Sequence, residues 1–207
     1  MSGKFIVFEG VDGSGKTTQL KLLGEELRSR GYEVLCTREP GGTRVGESIR
    51  DILLNPAFND LSPLAEAFLY AAARAQHVER VILPALEEGK IVLCDRFVDS
   101  SFAYQGSGRG LEIPLLKKIN EPATSGLVPD LVLILDFSCG SGMDRICRSG
   151  RRIDRIEGER EDFHAKVRSG YIALAESSPS RYRLIDAGRP VGQVRRDVLK
   201  AVEEVLK

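Results

Sequence analysis

Short apolar runs bounded by polar or turn residues recur along the chain: FIVFE at 5–9, EVLCT at 33–37, IVLCD at 91–95, LVLILD at 131–136 and YRLID at 182–186. Runs of this length with little polar alternation read as strands buried on both faces. Longer stretches of helical period lie between them. Lys16 to Arg30 repeats Leu20, Leu23 and Leu27 at three- and four-residue steps, and Gly31 supplies a stop. Ser62-Pro63 pairs a cap residue with proline at the first helical position, opening a helix expected to run past Ala71, Arg74 and Val78 to Gly89 with a kink at Pro84. Val191 to Lys207 closes the chain amphipathically. Strands alternating with helices predict an α/β fold, a doubly wound parallel sheet of about five strands whose ligands gather at the carboxyl ends of the strands.

The 207 residues fit one domain, expected to span 1–207, and 42% hydrophobic with 29% charged residues is enough to build a core. Thirty basic residues balance thirty acidic ones, which argues against a nucleic-acid or membrane-surface binder held by bulk charge. Cys36, Cys94, Cys139 and Cys147 form no C-x-x-C pair and no ligand spacing with His77 or His164, so neither a zinc site nor a disulfide scaffold is expected. The first apolar run breaks at Glu9, and no segment approaches membrane-spanning length, so the expected compartment is the cytoplasm. One segment departs from the average: CRSGRRIDRIEGERED, 147–162, is dense in charge and reads as a solvated flap.

The first strand runs into Gly10-Val11-Asp12-Gly13-Ser14-Gly15-Lys16-Thr17, followed by Thr18, which satisfies G-x-x-x-x-G-K-[ST] between a strand and a helix. Its glycines let backbone N–H groups point inward on phosphates, Lys16 can reach the β and γ phosphates, and the Thr17 hydroxyl can hold Mg²⁺. The P-loop alone does not choose among kinase, switch GTPase and motor ATPase. None of Asn55, Asn59 or Asn120 sits in an N-K-x-D guanine motif, which argues against the GTPase. After the second strand, Arg38-Glu39-Pro40-Gly41-Gly42-Thr43 forms a turn that would present Glu39 at the sheet's ligand edge. After the third comes DRFVDSSFAYQ, in which Asp95 and Arg96 can serve different groups, and Ser101, Tyr104 and Gln105 share a helical face.

Together EGVDGSGKTTQ, TREPGGT and DRFVDSSFAYQG resemble the thymidylate kinases, which phosphorylate dTMP with ATP on the way to dTTP. LYAAARAQH at 69–77, DRIEGE at 154–159, FHAKVRSGY at 163–171 and LIDA at 184–187 extend the resemblance in the same order over nearly the whole chain. It implies Arg50 and Arg96 as a pair on the acceptor phosphate, Tyr70 stacking on thymine and Arg74 donating to a thymine carbonyl. It implies Ser101 and Gln105 at the thymine edge, and Tyr104 under the sugar, leaving no room for a 2′-hydroxyl. Asp12 and Glu39 match acidic residues near the acceptor's sugar, phosphate or Mg²⁺. Asp95 either holds magnesium through water or orients Arg96. Phenylalanine is commoner in the family at the position of Tyr70.

Thymidylate kinases carry a cation either inside the P-loop or in the lid. Gly13 and Ser14 stand where the P-loop arginine would be, while the flap, expected at roughly 147–160, offers Arg148, Arg151, Arg152 and Arg155, which resembles the second, mainly bacterial pattern. Arg148, Arg152 and Arg155 lie at helical spacing, Arg148 is expected on ATP, and Arg151 and Arg152 join Lys16, Arg96 and Asp12 as the expected catalytic set. Family members are usually homodimers. Another small P-loop kinase, or an ATP-binding regulator without transfer activity, are the alternative readings.

Overall fold

The computed structural model describes residues 3–138, 140, 142, 145, 147, 150 and 152–206. The elements follow as β1 (Lys4–Glu9), α1 (Lys16–Ser29), β2 (Val34–Arg38), α2 (Arg44–Leu54), α3 (Pro63–His77), α4 (Leu83–Glu87), β3 (Ile91–Asp95), α5 (Val98–Ser101), α6 (Ile113–Thr124), β4 (Leu131–Asp136), α7 (Glu161–Ser177), β5 (Tyr182–Asp186) and α8 (Val191–Val205). The five strands form one all-parallel sheet in the order β2-β3-β1-β4-β5. This is the predicted α/β doubly wound architecture. β1, β3 and β4 are buried almost throughout, as their unbroken apolar runs require. α1 packs against α8 and along β2, β3 and β1, α7 packs along β4 and β5, and α4 packs against β3. Among the described residues no helix is long and apolar enough to cross a membrane.

Local signals set several boundaries. The Thr43 side chain accepts from Gly46 N to start α2, and the Ser62 hydroxyl accepts from Ala65 N ahead of Pro63 to start α3. Gly31, at φ 89°, follows α1 in the left-handed region. The single kinked helix expected from Ser62 to Gly89 is resolved differently: α3 ends at His77, a π-helical turn spans Val78–Ile82, and α4 follows. Pro84 has no N–H for the carbonyl four residues back, and the wider turn just before it absorbs that loss.

A second π-helical turn, Phe102–Gly108, follows α5 and overturns the expectation that Ser101, Tyr104 and Gln105 share a face. Their side chains go to Arg74, to Arg96 with Asp12, and to Glu66 respectively. The flap is also not solvated throughout. Arg155, Ile156 and Glu157 are buried. Arg155 donates its backbone N–H to Leu54 O at 3.0 Å and its Nε to Leu53 O at 2.8 Å, satisfying carbonyls at the end of α2. The described residues 152–154 are not helical, so Arg152 and Arg155 do not share a helix face.

Candidate active site

The carboxyl ends of β1, β2 and β3 open into a cavity of about 780 Å³ that runs from the P-loop to α3 and the second π-helical turn. It is lined by Asp12 through Thr18, Glu39, Arg50, Tyr70, Asp95, Arg96, Tyr104 and Gln105, so most of the predicted site residues meet in one space. Gly10 and Val11 stand beneath it and supply carbonyls to Lys16 Nζ at 3.0 and 2.9 Å. Burial, and then the Arg96 cation, pull the Lys16 pKa down to about 8.

Gly10, Gly13 and Gly15 all have positive φ. At Gly13 a Cβ would come 2.3 Å from Gly142 O, and at Gly10 2.4 Å from Leu135 O, so both spacing and conformation exclude a side chain there. Ser14 Oγ in this loop is buried without a hydrogen-bond partner among the described residues. Thr17 Oγ1 donates to Asp95 Oδ2 at 2.6 Å, bringing two hard oxygen donors together at the mouth of the loop.

Arg96 is the organising cation. Its backbone stands at φ 72°, an uncommon position for a non-glycine residue. Its Nη1 donates to Gly10 O at 3.0 Å, Ser100 Oγ at 3.2 Å and Tyr171 OH at 3.0 Å; Nη2 donates to Asp12 Oδ1 at 2.7 Å and Tyr104 OH at 2.9 Å. Its guanidinium also lies 4.9 Å from the centre of the Tyr104 ring. Burial alone would raise the Asp12 pKa, but the Arg96 and Lys16 cations overcome it and hold the carboxyl well below the ordinary range. Glu9 is fully buried beneath, accepting from Phe97 N at 2.8 Å, Ser100 Oγ at 2.7 Å and Tyr171 OH at 2.8 Å. Burial raises its pKa despite Arg96. Burial, reinforced by Glu9, likewise lifts Asp99 to about 7.

On the far wall, Glu39 accepts from Arg74 Nε at 2.8 Å and lies 3.1 Å from His77 Nδ1, whose other nitrogen lies 2.7 Å from Thr37 Oγ1. Arg74 is buried and sits outside the cavity lining. Its other donors reach Ser101 Oγ at 3.1 Å, Phe97 O at 3.1 Å and Asn120 Oδ1, leaving one of five N–H groups. Ser101 is buried with it. Arg50 lines the cavity and donates to Pro40 O at 2.9 Å; burial and the Arg38 cation lower its pKa. Tyr70 lines the cavity, its hydroxyl pKa raised by burial and by the Glu66 carboxylate.

The basic flap divides. Arg152 is exposed and not in the lining, while Arg148 and Arg151 lie outside the described residues. Sequence reasoning missed Arg145 and Arg189, which also line the cavity; Arg145 donates to Gly13 O at 3.2 Å and lies 3.8 Å from the centre of the Phe137 ring. Glu9, Ser100 and Tyr171 were also missed. An acidic residue ending a buried strand is a readable signal for Glu9; nothing in the sequence pairs it with Tyr171, 162 residues later.

A family model described as thymidylate kinase matches residues 8–198. The thymidylate kinase of Pelotomaculum thermopropionicum is 66% identical over 206 residues, covering 100% of this chain and 95% of that one. The thymidylate kinase of Caldanaerobacter subterraneus subsp. tengcongensis is 52% identical over 207 residues, covering 100% and 98%. The crystal structure of thymidylate kinase from Ehrlichia chaffeensis is similar at a TM-score of 0.80 and 35% identity, covering 98% of this chain and 99% of that one.

Proposed function

The chain belongs to the thymidylate kinase family, and from that premise we propose that it transfers the γ-phosphoryl group of ATP to dTMP, giving ADP and dTDP by direct in-line displacement. The observation that carries the reading is the continuity of one cavity from the P-loop glycines and Lys16 to Arg96, Tyr70 and Gln105. Donor phosphates and an acceptor nucleotide fit such a space side by side.

Transfer of this kind needs positioning and charge more than covalent machinery. Gly10 through Thr18 cradle the donor phosphates, with Lys16 turning from its two carbonyls to them. Arg50 and Arg96 hold the acceptor phosphate, Arg96 kept in place by Asp12, Ser100, Tyr104 and Tyr171. Tyr70 stacks on the base, Gln105 and Ser101 read its edge, and Tyr104 excludes a 2′-hydroxyl. Arg74 braces Glu39 and Ser101, with one N–H left for the base. Arg145 joins Arg148, Arg151 and Arg152 as candidate lid cations. Thr17 and Asp95 fit a magnesium ion, being adjacent hard oxygen donors at the phosphate loop. Bound there, the ion would neutralise charge on the donor phosphates.

The same reading takes 1–207 as one kinase domain with its lid at about 147–160, acting in the cytoplasm without nucleic acid or membrane. Exposed Val45 and Ile52 on α2 and Leu64 and Phe68 on α3 support a homodimer formed through that flank. Sedimentation at micromolar concentration tests it. The function itself is tested by coupled ADP release with ATP and Mg²⁺ against dTMP, dUMP, dCMP, dGMP, AMP, UMP and ribothymidine monophosphate. Strong preference for dTMP over its ribose counterpart is expected; activity centred on another monophosphate would overturn the acceptor assignment.

A further inference from the structure

Glu66, one turn before Tyr70 on α3, is fully buried and takes no part in the transfer as described. Its Oε1 accepts from Gln105 Nε2 at 2.8 Å and from Arg109 Nε at 3.2 Å. Its Oε2 accepts from Arg109 Nη2 at 3.1 Å and lies in ion-pair contact with Arg155 Nη2 at 2.7 Å. A buried ionic cluster is a weak source of stability, since well-packed apolar residues often serve as well or better. What it does supply is orientation. Arg109 reaches on to Glu159 Oε1 at 2.6 Å, and Arg155 to Leu53 O at 2.8 Å, so both guanidinium groups are themselves held and the carboxylate is fixed between them.

An ionised carboxylate has only acceptors to offer, whereas the glutamine amide has a donor end and an acceptor end. Gln105 lines the cavity, and Glu66 engages its donor end. We propose that Glu66 is a positioning residue that locks the Gln105 amide so that its carbonyl oxygen is the group the acceptor base meets. The proposal rests on the reading that a nucleoside monophosphate occupies this end of the cavity. An acceptor there matches a base whose edge carries an imide N–H, as thymine and uracil do. It mismatches cytosine, whose ring nitrogen at that edge is itself an acceptor, and two facing acceptors leave both unpaired.

Glu66→Gln keeps the shape of the side chain, but its amide can donate or accept, so Gln105 is free to turn over. The wild type and this variant are assayed with ATP against dTMP, dUMP and dCMP, separating kcat from KM. For dTMP and dUMP alike, kcat/KM should fall about tenfold, mainly through KM, while dCMP holds or improves; the dTMP to dCMP ratio therefore drops about tenfold or more. Equal losses on all three acceptors, with the ratio unchanged, would overturn the proposal and leave Glu66 a structural residue. If stranded charge prevents the single variant from folding, Glu66→Gln combined with Arg109→Gln carries the same readout, and an unchanged ratio there is equally fatal. In the wild type, the side-chain amide protons of Gln105 should be protected from solvent exchange before dTMP is added; rapid exchange would also overturn the proposal. Failure of the wild type to phosphorylate dTMP would sink the parent reading instead, and appears before any variant is made.

Discussion

At the donor end of the cavity, Lys16 bonds to carbonyls five and six residues back, and three glycines at positive φ shape the loop. At the acceptor end, the Arg96 guanidinium draws its partners from as far as 86 residues away, on the loop after β1, the second π-helical turn and α7. The donor cradle is thus a property of a short stretch of backbone. The acceptor cluster exists only once the sheet and α7 have assembled. One end should therefore respond to changes in local conformation, and the other to the loss of any one of several remote side chains.

The largest expected effect is at the acceptor end. Arg96→Ala should cut kcat/KM for dTMP by about 10³-fold. It also takes one of two cations from Asp12, which Lys16 still faces, and should cost about 1–3 kcal/mol of stability, read by denaturant unfolding. Near-normal turnover would remove Arg96 from the site. Next, Gly13→Ala should weaken ATP binding by about 10²-fold, because its Cβ meets Gly142 O at 2.3 Å, while Gly15→Ala, with nothing within 4 Å, should carry only the roughly 1–2 kcal/mol of a left-handed backbone. Equal losses in calorimetric ATP titrations of the two variants would break the claim that the cradle is set by close backbone approach.

The third effect is electrostatic. With the Lys16 pKa lowered to about 8, the ammonium is charged below that pH and lost above it. ATP affinity should be flat to pH 8 and then fall by up to about tenfold per unit, because binding must take up a proton. Lys16→Met should bind weakly at every pH, with that slope gone. The smallest effect on activity lies beneath the acceptor cluster, where the change is read in stability. Asp99 titrates at about 7 rather than 3.8, so the folded protein holds its proton more tightly than the unfolded chain, and stability is lost as pH rises between those values. Asp99→Asn should raise Tm by roughly 10 °C at pH 8 and far less near pH 4, by differential scanning calorimetry. An equal shift at both pH values would show that its ionisation carries no such cost.

The same contrast explains what was legible in the sequence. The five strands and the P-loop were readable because each is encoded within ten or so consecutive residues. The π-helical turns were not, since a periodicity of 3.6 does not announce a wider turn, and so the split directions of Ser101, Tyr104 and Gln105 were hidden. Arg155 looked like a solvated cation because its partners, the end of α2 and Glu66, are remote in sequence. Arg74 stands out in the sequence by its place one turn after Tyr70 on α3, but that four of its donors are taken by protein groups depends on Glu39, Phe97, Ser101 and Asn120 converging in space.

The pairing of β1 with β3 carries a further consequence. Phe8 sits opposite Asp95, so the donor loop and the acceptor arginine leave the sheet at the same level from neighbouring parallel strands. The interval between them is metered by the ladder, about 4.8 Å per strand and roughly 3.3 Å per residue along it. The sheet is the gauge of the reaction, and the loops are only fittings hung from it. Lengthening the connection after α6 leaves that gauge untouched, whereas one residue inserted between Ile91 and Arg96 shifts the arginine by a full step and turns alternate side chains to the opposite face.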